Sequence, residues 1–296
     1  MIAQNRIADA MAAVERMSSR PQLRWIGRRL IAASRQAARL GFTPPDRAQG
    51  MVGAVLAEIH REDRAVPERV DGPLIVEKPG ADQVVIVFSG NEVVPFAHVV
   101  LQSYLRRRPC HAVYVTDRRS LFGVGGLPEL GPDLASTARS LRQLSDRLGA
   151  VRRHCFGFSG NGYAAMRHAI EIDADSVLAF SPPTRLNVGR RHVERTPMIQ
   201  RLHQHLPHMA QDLRPLYRAS RRLPAATIVY GAASQGDTRY ARRMEEIPNL
   251  RLVPIPGYAD HDSLSIAIVS GKLMGLLDVM LAGRAIDNPD PVEGAP

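Results

Sequence analysis

The chain has 296 residues, 45% of them apolar, and only two cysteines, Cys110 and Cys155, which is enough for a full hydrophobic core and excludes a small disulfide-stapled scaffold. Its net charge of +10 rests almost wholly on arginine, since Lys78 and Lys272 are the only lysines, so basicity alone does not point to nucleic acid. No basic segment followed by an apolar run opens the sequence, and IAIVSGKLMGLLDVML is interrupted by Lys272 and Asp278, so we expect a soluble, cytoplasmic protein.

In chain order, residues 3–17, 22–40 and 48–62 carry apolar residues at helical spacing, for example Leu23, Ile26, Leu30 and Ala33. We read 1–71 as a helical, basic N-terminal extension that packs on the rest or joins two copies into a homo-oligomer. Contact with an anionic membrane surface is the weaker reading. From residue 72 the pattern changes. Leu74–Glu77 and Val84–Ser89 predict two strands about a turn, and then β-rich runs alternate with helical ones. AVYVTD is followed by a helix over Leu134–Leu148, VRRHCFGF by a helix over Gly162–Ile172, and SVLAFS by an arginine-rich segment. ATIVYG, a helix near Thr238–Glu246, LRLVPIPG and a last helix over Leu264–Leu281 complete the domain, 72–283; we expect the tail, 284–296, to be disordered. Strands that read as buried on both faces, alternating with helices, indicate an α/β fold, a mostly parallel sheet between two helical layers.

The tetrapeptide FSGN occurs twice, at 88–91 and 158–161. Ser159 lies in GFSGNGYAA, with Gly157 two residues before it, Gly160 after it and small residues beyond, as a sharp strand-to-helix turn requires. Ser89 lacks that setting, because Val87 and Phe88 precede it and NEVVPF is a poor helix start. The first copy suits a loop that aims backbone N–H groups at the serine, so Gly90 and Asn91 with Gly160 would form an oxyanion hole; a plain turn is the alternative. Downstream, Asp237 lies after ATIVYG and His261 after LRLVPIPG, each at the C-terminal end of a strand where open α/β sheets place their sites. His261 would take the proton of Ser159 and Asp237 would orient the imidazole. Asp260 and Asp262, as immediate neighbours of the histidine, are weaker candidates for the acid.

With GFSGNGYAA, GDTRYA and PGYADHDS in that order, the chain resembles the α/β-hydrolase superfamily over roughly residues 74–281. The resemblance implies an eight-strand-type sheet, short of its first strands, and serine-based acyl transfer with Ser159 as nucleophile, Asp237 as acid and His261 as base. The FSGN and PIPGYADH phrases are also similar to hydrolase-like proteins of bacterial surface-polysaccharide and secretion gene clusters. Two departures stand out. Asn161 occupies the position two after the serine where the family has glycine, so it widens the elbow or projects into the pocket as a polar substrate contact. The stretch from Gly231 to Asp237 is also longer than the family pattern.

The segment 183–223 carries nine arginines against Glu194 and Asp212 and lies where this fold often inserts a cap. Over the pocket mouth, Arg190 and Arg191 would favour an anionic acyl substrate; otherwise the segment is a solvated face. His203, His205 and His208 read as surface residues rather than a metal site, and no nucleotide fingerprint is present, so no cofactor or metal is expected. A catalytically weakened fold serving as a binding or assembly module for an anionic partner is the alternative function.

Overall fold

The computed structural model describes residues 21–42, 72–90, 101–102, 104–127, 130–189 and 196–283. Helix α1 (Pro21–Arg39) comes first, then strands β1 (Leu74–Val76), β2 (Gln83–Gly90) and β3 (His111–Asp117). They are followed by α2 (Leu134–Arg147), β4 (Arg152–Phe158), α3 (Gly160–Glu171) and β5 (Ser176–Phe180). Helices α4 (Pro197–His205) and α5 (Leu213–Ala219) lead to β6 (Ala225–Gly231), α6 (Gln235–Arg242) and β7 (Leu250–Ile255), and α7 (Ser263–Val269) and α8 (Lys272–Leu281) end the domain.

The seven strands form one sheet in the order β1-β3-β2-β4-β5-β6-β7; β1 runs antiparallel to β3 and every other pairing is parallel. The period of two along β2 divides the core. Val85 and Val87 face a layer that includes α1, α7 and α8, whereas Val84, Ile86 and Phe88 face α2, α3, α4 and α5. A β-branched strand buried on both faces belongs in the middle of a parallel sheet, and β2 lies between β3 and β4. This is the three-layer α/β arrangement expected.

Three helices differ from expectation, among them α3, which starts at Gly160 rather than Gly162. The long C-terminal helix is two helices, bent by 104° at Ser270–Gly271, with Gly271 at φ 73° ending one and starting the next. That left-handed turn suits glycine, and apolar periodicity alone did not reveal it. Helix α6 starts three residues before the predicted Thr238, because Ser234 accepts the Asp237 N–H and caps it. Of the N-terminal segment, the helix expected over 22–40 is α1; those expected over 3–17 and 48–62, and the tail 284–296, lie outside the described residues. Among the described residues no single helix is long and apolar enough to cross a membrane.

Candidate active site

The site forms where β4 gives way to α3. Ser159 sits between them at φ 55° and ψ −127°, a conformation that costs a non-glycine residue about 1–3 kcal/mol. Its surroundings enforce the turn. Ser159 N–H donates to Phe180 O at 2.8 Å, and Ser159 O accepts from Gly162 N–H at 2.9 Å. Gly157 leaves room for the helix start: a Cβ there would stand 2.1 Å from Asn161 O. A Cβ on Gly162 would meet Pro182 Cβ at 3.2 Å, so this glycine, one position beyond the family's, also lets the helix sit against the end of β5.

Two later segments bring their side chains to the serine. β6 ends at Gly231, where a Cβ would stand 2.6 Å from Tyr258 O, so the histidine loop packs directly on the strand end. From that loop, His261 Nε2 lies 2.7 Å from Ser159 Oγ, and its Nδ1 lies 2.9 Å from Asp237 Oδ1. The His261 side chain is 51% exposed and the Asp237 side chain 7%, so the chain of hydrogen bonds runs from reachable surface to buried carboxylate. Asp237 Oδ2 is buried without a hydrogen-bond partner among the described residues. Asp237 was expected in a loop; it stands instead in the first turn of α6, which absorbs the extra length after Gly231.

The remaining predicted positions divide. Gly160 opens α3, so its N–H belongs to the first turn, which has no intrahelical acceptors. Gly90 closes β2, and Asn161 Nδ2 lies 3.3 Å from where a Gly90 Cβ would be, which brings the two copies of FSGN together in space. Asn161 therefore directs its amide at the end of β2. Ser89 is the penultimate residue of β2, but it is 3% exposed and its hydroxyl donates to Val115 O at 3.0 Å. Asn91, Arg190 and Arg191 lie outside the described residues.

The arginine-rich segment does approach the elbow, through an apolar residue: Met198 Cε and the Phe122 ring lie 2.9 and 3.2 Å from where a Gly160 Cβ would be. Four of its described arginines are engaged elsewhere. Arg214 and Arg218 pair with Glu246, Arg222 pairs with Asp175, and Arg185 bonds Asn187. Arg201 lines an open cavity of about 870 Å³ with Arg119, Arg167, His205 and His208, and none of Ser159, Asp237 or His261 lines it. His203 bonds Leu186 O, and no group of three metal-ligating side chains occurs among the described residues.

Sequence reasoning missed Phe122 and Met198 beside the elbow, and Phe158, whose ring centroid lies 5.5 Å from that of His261. The signal available for Phe122 was the glycine cluster after it. Phe122 and Gly123 both have positive φ, and the buried Asp117 carboxylate accepts the Gly123 N–H at 2.8 Å to hold that loop.

One antiparallel strand precedes six parallel ones, the sharp serine turn follows a central strand, and acid and histidine follow β6 and β7 in turn. The chain has the α/β-hydrolase fold. No protein-family model matches the sequence, and no curated protein matches it. Among solved structures, this α/β-hydrolase fold is similar to carboxylesterase CesB (YbfK) from Bacillus subtilis at 11% identity, covering 81% of this chain and 99% of that one with a TM-score of 0.49. It is similar to an S-formylglutathione hydrolase from Agrobacterium tumefaciens at 15% identity, covering 70% and 89% with a TM-score of 0.49. MenH from S. aureus is 14% identical, with 72% and 98% covered and a TM-score of 0.47. Their activities belong to those proteins; the fold assignment comes from this chain's own strand order and elbow.

Proposed function

We propose that the protein is a serine hydrolase acting on an ester or related acyl bond. The observation that carries this reading is the hydrogen-bonded chain Ser159–His261–Asp237, built on a strained turn with the serine half-buried. Ser159 Oγ attacks the acyl carbon while His261 Nε2 takes its proton. Asp237 accepts from Nδ1–H, fixes the tautomer and stabilises the imidazolium as it forms. The Gly160 N–H meets the oxyanion, and Gly90 and Asn91 are the candidates for the second backbone donor. Collapse expels the leaving group, which takes the proton back from Nε2. Water, or an acceptor alcohol, then attacks the acyl-serine by the same route in reverse, with His261 again the base.

The test is covalent labelling. A fluorophosphonate probe is expected to label Ser159, identified by mass spectrometry, and to lose that label in Ser159→Ala and His261→Ala. A folded protein that stays unlabelled sinks the reading. Ser89 is not expected to react, since it is buried and bonded to β3. For an anionic acyl or leaving group, Arg190 and Arg191 are the candidate contacts, because the arginines of α5 and its flank are already ion-paired. Replacing both by alanine is expected to raise KM for a carboxylate-bearing ester about tenfold and to leave a neutral ester of equal size unchanged.

A further inference from the structure

Helix α1 touches the histidine loop at three points. Arg29 presents its fork to both carboxylate oxygens of Asp262, the residue after His261. Gln36 donates from Nε2 to Asp260 Oδ2 at 2.6 Å, on the residue before it. Leu40 Cδ2 lies 3.0 Å from where a Cβ on Gly257 would be, at the start of the loop. The same helix buries Leu30, Ala33 and Ala37 in the core layer that contains α7. Arg29, Gln36 and Leu40 are spaced seven and four residues apart, so they lie along one side of the helix.

We propose that α1 is a positioning element for the site, with Arg29 and Gln36 holding the two aspartates that flank His261 so that the imidazole stands between Ser159 and Asp237. This rests on the reading of those three residues as the catalytic chain. The need is physical. His261 is half exposed on a short loop, and a misplacement of about 1 Å can cost roughly 100-fold in rate. Left alone, Asp260 and Asp262 would compete with Asp237 for the imidazole. Arg29 turns Asp262 away, and Asp262 also caps α7 through the Ser265 N–H at 3.2 Å, so one carboxylate ties the loop to two helices.

Arg29 also acts through charge. Its guanidinium lies over the Phe158 ring, 5.2 Å from the centroid, and that ring abuts His261. Among the described residues, the ionisable groups in this neighbourhood include Asp237 on α6, Asp260 and Asp262 on the loop with Tyr258 beside them, and Arg29 on α1. Without the cation, three carboxylates would stand near the imidazole with no guanidinium among them. A planar fork that stacks on an aromatic ring suits both duties; a lysine would keep the charge but not the bidentate grip.

The experiment is the rate of fluorophosphonate reaction at Ser159 in the full chain, measured from pH 5 to 9. For Arg29→Met, which keeps the aliphatic stem, we expect a rate about 10-fold lower at the plateau. The acid limb should also move to higher pH, because a cation has been taken from among carboxylates. Arg29→Lys should keep the acid limb and lose part of the plateau. Arg29→Met combined with Asp262→Asn, which preserves a capping side chain, should return the limb toward its original position without restoring the rate. The exposed Arg35→Met, on another side of α1, should change neither.

Arg29→Met that reacts at the original rate with an unmoved limb overturns the proposal. So does a rate that falls in Arg29→Met and in the core variant Leu30→Ala only in proportion to lost thermal stability, with the limb fixed, since α1 would then be packing alone. An unmodified protein that is never labelled at Ser159 overturns the underlying site reading instead, and this inference with it.

Discussion

Ser159 holds a backbone conformation it would leave if its neighbours allowed, and the neighbours that prevent this are two glycines and a carbonyl. Gly157 carries the tightest constraint, because an added methyl would stand 2.1 Å from Asn161 O and the helix start would have to move. We expect Gly157→Ala to cost about 1–3 kcal/mol or more, read as a lower urea midpoint, and to abolish labelling of Ser159. Asp237 makes a different demand. In the proposed mechanism it accepts from Nδ1–H, and an asparagine of the same shape either presents its NH2 there or accepts without a charge to stabilise the imidazolium. Asp237→Asn should fold normally, yet react with the probe roughly 10³–10⁴ times more slowly.

At the scale of elements, α6 shows how a cap sets a site. Ser234 begins the helix and so fixes the depth at which Asp237 enters the sheet end. Ser234→Ala should lower stability by about 1 kcal/mol in urea unfolding and slow labelling several-fold, as the first turn frays. The strands and the serine turn were legible in the sequence because their signals are local: β-branched runs such as VVIVF, and small residues around Ser159. The order of acid and histidine was legible because each followed its own strand. The helical setting of Asp237 was not, since a polar stretch of Ser, Gln and Gly reads equally as loop or first turn. Nor was the break at Ser270–Gly271, where one positive-φ glycine interrupts an apolar pattern. Asp260 and Asp262 read as weak spare acids, because their partners are 224 and 233 residues away on α1.

Across the whole molecule, the two core layers bury histidines that the site does not use. His154 lies between Ser176 and Gln83, and His168 donates to Gly123 O at 3.0 Å and stacks on Phe88. Burial pushes both imidazoles down to about 4, against about 6.5 in an unfolded chain. The sign follows directly. Above pH 6.5 both states hold these groups neutral and the full stability is present. As pH falls from 6.5 toward 4, the unfolded chain binds two protons that the folded one excludes, so stability is lost. Between pH 7.5 and 5 each histidine accounts for up to about 2 kcal/mol. Asp117 works in the opposite direction, since burial raises its carboxyl and the folded state binds that proton first. His168→Gln keeps a donor for Gly123 O but cannot titrate. Urea midpoints at the two pH values should therefore drop steeply for the original chain and by about half as much for the variant. Equal drops would mean that His168 is already charged in the folded protein, or that the acid sensitivity arises at other groups.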